Sequence, residues 1–182
     1  MIDISGGEAW AVTNFSEGAY SPAWSPDGIY ITFLSRHESS NNGTRNIESI
    51  KSNSVNHCGT RTITDLRYRT GTRYATDSYM HIYIYNLKSN TITQLTHDPY
   101  NDYSVVWSHN SKALAFESNR YGNPHVDDNT DIFTIDIQNS HITRITVGEG
   151  PERAPQWSPD DKIITYLTKS RPNDFSSLVN LF

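Results

Sequence analysis

A chain of 182 residues has the length of one ordinary domain. Its 19% charged and 35% hydrophobic composition is too balanced for a disordered polymer. The formal net charge of −5 speaks against nucleic acid as a partner, and no apolar run approaches the roughly 18 residues of a membrane-spanning helix. The single cysteine, Cys58, excludes an internal disulfide. With no basic segment leading into an apolar one at the N-terminus, a cytoplasmic protein is expected.

In chain order, the first clear strand signal is Tyr20–Trp24, ended by the turn Ser25-Pro26-Asp27-Gly28. Proline presets φ there, aspartate bonds local backbone and Gly28 can take positive φ. An apolar strand, Ile29–Leu34, follows. Residues 37–77 read as an insertion. Its first part is rich in Ser, Asn and Gly and reads as a loop. Its later part, Thr62–Tyr74, alternates like an extra hairpin and carries the set Arg61, Arg67, Arg69 and Arg73, read as a solvated strand face or, alternatively, a contact with a neighbouring domain or an acidic ligand group. Strands His81–Leu87 and Thr91–Leu95 come next, the first alternating Ile82/Ile84 against Tyr83/Tyr85. Tyr103–Trp107, Ala113–Glu117, Asp131–Ile137 and His141–Ile145 form a second set. The turn between its first two strands, Ser108-His109-Asn110-Ser111, lacks proline and glycine and is expected to be less rigid. Arg153–Trp157, Ser158-Pro159-Asp160-Asp161 and Ile163–Leu167 start a third, and Ser177–Phe182 is a candidate third strand for it.

These sets are one repeat. Thr13, Trp24 and Phe33 recur as Thr96, Trp107 and Phe116, and again as Thr146, Trp157 and Tyr166, with eleven positions from threonine to tryptophan and nine from tryptophan to the aromatic. Tandem four-stranded units of about 40–50 residues predict an all-β fold, a partial β-propeller of antiparallel blades. By the same count Asp3-Ile4 aligns with Asn86-Leu87 and Asp136-Ile137, so the chain is expected to begin inside the third strand of an earlier repeat. The expected domain is therefore one partial propeller over 1–182. Residues 1–13 end a preceding blade, 20–96 form a blade with its insertion at about 37–77, 103–146 a second blade, and 153–182 an incomplete one. The nine repeat residues are structural candidates, the tryptophans packing between neighbouring blades. Open blade faces predict self-association.

Several segments resemble the propeller of prolyl-oligopeptidase-family serine peptidases, especially the acylaminoacyl-peptidase branch, and the propeller repeats of TolB. They are Gly6–Thr13, Ser21–Gly28, Ser118–Arg120, Asp131–Ile137 and Ala154–Lys162. Leu66–Leu87 resembles the stretch those peptidases place between the second and third strands of one blade, except that Gly71-Thr72-Arg73 stands where a Gly-x-Gly is expected. The resemblance implies a propeller without a nucleophile, limiting access to an α/β-hydrolase domain. The implied partners are that hydrolase domain or further blades. The alternative it implies is a TolB-like protein-interaction module.

The search for chemistry is negative in the sequence. No Gly-x-Ser-x-Gly nucleophile elbow occurs. His57-Cys58 lacks the ligand spacing of zinc. Asp127, Asn129 and Asp131 alternate like the start of a calcium loop, but Ile132 and Gln138 stand where glycine and glutamate belong. No catalytic, cofactor-binding or metal residue is therefore assigned. His81 and His141 are expected to be partly exposed residues at strand starts.

Overall fold

The computed structural model describes residues 1–38, 69–70, 73–74, 78–121, 129–148, 150–169 and 179–182. Among them every regular element is a strand. The first sheet has the order β1 (Tyr20–Trp24), β2 (Tyr30–Glu38), β5 (Ser78–Asn86), β6 (Thr91–Gln94). The second runs β7 (Asp102–Trp107), β8 (Ala113–Ser118), β9 (Asp131–Asp136), β10 (Ile142–Arg144), and the third β11 (Glu152–Trp157), β12 (Ile164–Lys169), β13 (Val179–Leu181). All neighbours are antiparallel. The sheets follow one another without closing, an open all-β partial propeller. Of the expected extra hairpin, the backbone ladder β3 (Arg69–Thr70) with β4 (Arg73–Tyr74) is described. Arg61, Arg67 and the His57-Cys58 pair lie outside the described residues.

Each sheet repeats the same local devices. The inner strand carries a bulge at a residue in the left-handed region: Ser21 (φ 50°), Ser104 (φ 50°) and Ala154 (φ 52°). Such a bulge increases local twist. The hairpin turn after β5 is an Asx turn, in which Asn86 Oδ1 accepts from the amides of Lys88 and Ser89. After β9, Asp136 Oδ1 accepts from Gln138 and Asn139. Asn90 and Ser140 then take φ 55° to close the two turns.

Residues 1–13 form no strand, contrary to the expected strand start. Two backbone hydrogen bonds between Met1 and Trp10, 2.5 and 2.9 Å, are too few for a ladder. Yet this pair stands at the repeat position of Ile84↔Thr93 and Thr134↔Thr143. Asp3 Oδ1 accepts from Ser5 N, the same Asx turn, and Gly7 (φ 119°) takes the left-handed place of Asn90.

The core lies between the first two sheets. Leu34, Met80, Ile82, Ile84 and Leu95 of the first meet Leu114, Phe116, Phe133 and Ile135 of the second. Alternation along β5 and β9 puts these side chains on one face. Burying each is worth roughly 1.5–3 kcal/mol. His81, expected to be partly exposed, is buried instead, because β5 begins at Ser78 and carries it inside the sheet. His141 is exposed, in the turn before β10.

Candidate functional site

The repeat residues resolve into three physical roles. The threonine closes the outer edge of a sheet. Thr96 Oγ1 accepts from Ile82 N at 3.0 Å, and Thr146 Oγ1 accepts from Ile132 N at 2.9 Å. Both donors sit fourteen positions earlier, in the third strand, and both threonines are buried. The aromatic nine positions after each tryptophan stacks on a ring in the third strand or directly after it: Phe33 on Tyr83 (5.5 Å), Phe116 on Phe133 (5.7 Å), Tyr166 on Phe182 (6.0 Å). Phe15 adds edge contacts to Phe33 and Tyr83, covering part of the first sheet's outer face.

The tryptophans differ according to what lies beside them. Trp107 reaches the preceding sheet, donating from Nε1 to the Ala23 carbonyl at 3.3 Å and stacking on Tyr30. Trp157 is half-buried. Trp24, expected to pack between blades, is 56% exposed, since no described sheet lies on its side.

The turn end joins neighbouring sheets by a second device. The fourth residue of one turn caps the amides of the turn before it. Ser111 Oγ accepts from Asp27 N at 3.0 Å. The Asp161 carboxylate accepts from His109 N (2.7 Å) and Asn110 N (2.8 Å) and meets the His109 ring at 3.0 Å. Ser111 (φ 60°) and Asp161 (φ 57°) take the positive φ of Gly28 (φ 69°). The middle turn, expected to be less rigid, carries the full bond set of its neighbours. Ser108 Oγ bonds Asn110 Oδ1, as Ser25 bonds Asp27 and Ser158 bonds Asp160. Asn110 therefore supplies the acceptor that Asp27 and Asp160 supply in the other two turns. A cleft of about 230 Å³ at this end is lined in part by Asp27, Tyr30, Ser111, Lys112 and Ile137. That is smaller than the roughly 300–1,000 Å³ of ordinary ligand pockets.

At the opposite, loop end lies an ionic layer that sequence reasoning missed. Arg120 bonds Asp98 (2.6 Å) and the fully buried Asp102 (3.0 Å), with its guanidinium over the rings of Phe116 and Phe133. Arg144 bonds Asp131 at 2.6 Å and lies 4.1 Å over Tyr121. Glu152 takes the place of Asp102 one repeat on, and it too is buried. Burial raises the Asp102 carboxyl, opposed by Arg120 and by the hydroxyls of Thr96 and Ser118. Burial likewise raises Glu152; Thr146 and Arg144 oppose it, and Asp131 adds to it. The signal was available in the fifty-residue spacing of two acids at the starts of inner strands.

This layer ties loops to sheets. Of the calcium-like trio, Asp131 is held by Arg144 and the Asn129 amide donates to the Gly148 carbonyl. Asp127 lies outside the described residues. Among the described residues no three His, Cys, Asp or Glu side chains gather as a metal site. No helix among them is long and apolar enough to cross a membrane. The conspicuous unpartnered feature is apolar. Trp10, before the first sheet, and Tyr20 and Trp24 on its first strand are each at least half exposed, as are Ile163, Leu181 and Phe182 at the last sheet.

Sheet order, inter-sheet tryptophan and turn capping define a β-propeller arc. The chain belongs to the TolB beta propeller domain family (PD40), whose model matches residues 1–171. No curated protein sequence matches it. Among solved structures it is similar to TolB from Acinetobacter baumannii, at 17% identity and TM-score 0.58, covering 100% of this chain and 33% of that one. It is equally similar to a protein from Agrobacterium tumefaciens assigned as TolB, at 19% identity and TM-score 0.58, covering 98% and 50%. Pyrococcus horikoshii acylaminoacyl peptidase follows at 15% identity and TM-score 0.50, covering 93% and 20%. The chain thus spans between a third and a half of the TolB structures it matches. At these identities the likeness is one of fold.

Proposed function

We propose that this chain is a non-catalytic propeller module that works by presenting its sheet faces to another protein surface, in the manner of a TolB-like interaction module. The observation that carries this reading is the placement of the exposed apolar side chains. Trp24 at 56%, Ile163 at 62% and Leu181 at 71% exposure lie on the outward sides of the two end sheets. Large apolar side chains left exposed on sheets in this way fit contact with protein. The buried charges are meanwhile engaged in holding loops, as Arg120 and Arg144 illustrate.

A second reading is that the module limits access to the hydrolase domain of an acylaminoacyl-peptidase-type serine peptidase. The similarity to the Pyrococcus horikoshii enzyme supports it. Two measurements test these readings. Purified chain is expected to leave acyl-peptide and prolyl-peptide chromogens untouched. Turnover that tracks with the chain through successive columns would overturn the non-catalytic role under either reading. A Gly-x-Ser-x-Gly elbow in the reading frame downstream would favour the gating role over the free-standing one.

A further inference from the structure

The two exposed ends of the arc are complementary to each other. In the third sheet β13 is the outermost described strand. Phe182 N and O both bond Tyr166 (2.9 Å each), so by antiparallel alternation the Leu181 N–H and C=O face the outer, unpaired edge. In the second sheet the residue at that position is Ile132. Its N–H is taken by Thr146 Oγ1 and its carbonyl by Ile145 N. The residues that stand two repeats earlier at the Ile145 and Thr146 positions are Val12 and Thr13. They follow Trp10, which already pairs with Met1 at outer-strand register.

The apolar faces match in the same way. Trp107 bonds the Ala23 carbonyl and stacks on Tyr30. The third sheet presents Gln156 and Ile163 at those two positions, and Ile163 is exposed. Trp24 is the exposed tryptophan that would fill them.

We propose that a second copy of this chain occupies these surfaces. Its Val12-Thr13 adds as the fourth strand beside β13, and its Trp24 docks on Gln156 and Ile163. The inference rests on the reading of the sheet faces as protein-contact surface, and it names the occupant. Two independent features specify one placement. A strand added beside β13 leads, through residues 14–19, into the strand that carries Trp24, as Thr96 leads into the strand that carries Trp107. The exchange is reciprocal, so the three described blade sheets of each of two copies make a ring of six, within the four to eight sheets that close a propeller. A heterologous contact that closes in this way ends in a dimer rather than a fibre.

The experiment is sedimentation of the full chain across a micromolar concentration series, with a redox cross-link as the register test. The expected species has twice the 20.7 kDa chain mass. Trp24→Ala is expected to weaken dimerisation at least about thirtyfold, the effect of losing a hot-spot tryptophan. Ala11 and Phe182 fall opposite one another in the proposed register, as Arg144 and Phe133 do. With Cys58→Ser to remove the native thiol, Ala11→Cys with Phe182→Cys is expected to give a covalent dimer on oxidation, and Ala9→Cys with Phe182→Cys is not. A clean monomer at about 100 μM would overturn the proposal. So would a dimer indifferent to both Trp24 and the cross-link position, or a cross-linked product of monomer mass. None of these outcomes bears on peptide turnover, so the proposal and the non-catalytic reading can fail separately.

Discussion

Replacing Thr96 by valine removes one oxygen and keeps the shape of the side chain. Thr96 is 1% exposed, and its Oγ1 accepts from the Ile82 amide at 3.0 Å. Ile82 is itself fully buried, so no water can replace that acceptor. The hydroxyl also steadies the Asp102 carboxylate, where it opposes the effect of burial. A buried donor left without a partner costs about 1–3 kcal/mol. Valine returns little of this, because the methyl it adds sits where a polar group is required. Urea unfolding followed by tryptophan fluorescence reads the change. With a slope of about 2 kcal/mol/M, the midpoint is expected to fall by about 0.5–1.5 M. Amide exchange localises the effect: Ile82 should lose protection relative to Ile84, whose bonding does not involve this hydroxyl. A wild-type midpoint together with unchanged Ile82 protection would refute the role assigned to the repeated threonine.

Trp107→Ala removes the indole that bridges to Ala23 and Tyr30 and should cost about 3 kcal/mol, read as a lowered urea midpoint. Gly148→Ala drives a methyl into the buried Glu152 side chain and should cost about 1–3 kcal/mol; calorimetry should show a melt lowered by about 2–4 °C per kcal/mol. Burial tends to raise the Asp161 carboxyl, but the amides of His109 and Asn110 and the His109 ring outweigh it, leaving its pKa lowered. A carboxyl held below its unfolded value stabilises the fold above the ordinary carboxylate range and loses that contribution as pH falls through the lowered value. Asp161→Ala is therefore expected to flatten the acid limb of stability against pH, and an unchanged limb would show that the turn cap carries no such linkage.

Much of the fold was legible because the repeat encodes hydrogen bonds rather than mere hydrophobicity. The spacing of Thr96 and Thr146 marks where the outer edge of each sheet meets the third strand. The spacing of Phe116 and Tyr166 marks cross-strand ring pairs. What escaped depends on neighbours that a linear chain does not display. Trp24 and Trp107 occupy the same repeat position, yet one is exposed and the other bridges two sheets, because of the two only Trp107 has a described sheet before it. His81 reads as a strand start until β5 is found to reach back to Ser78. Asn110 reads as a weak turn until its carbonyl is found doing the work of Asp27. The ionic layer joins residues 13–22 positions apart, such as Arg144 with Asp131 and Arg120 with Asp98, across loops of no fixed pattern.

Gly28 concentrates the argument about the ends of the arc. Ser111 and Asp161 stand at its position and each caps the amides of the turn before it, in the left-handed conformation that costs an ordinary residue stability. A side chain tolerated there is thus repaid by an inter-sheet bond. Gly28 heads the first sheet, where no described turn lies ahead to be capped, and at this position the side chain is missing. Yet Trp24, three residues before the turn's third member, keeps the bridging indole that its repeat partner uses. At the first sheet the capping side chain is therefore absent, while the tryptophan of the repeat is present and exposed. An apolar contact tolerates small errors of register that paired hydrogen bonds do not. The join between the first two sheets keeps both halves: Ser111 caps the Asp27 amide and Trp107 bonds the Ala23 carbonyl.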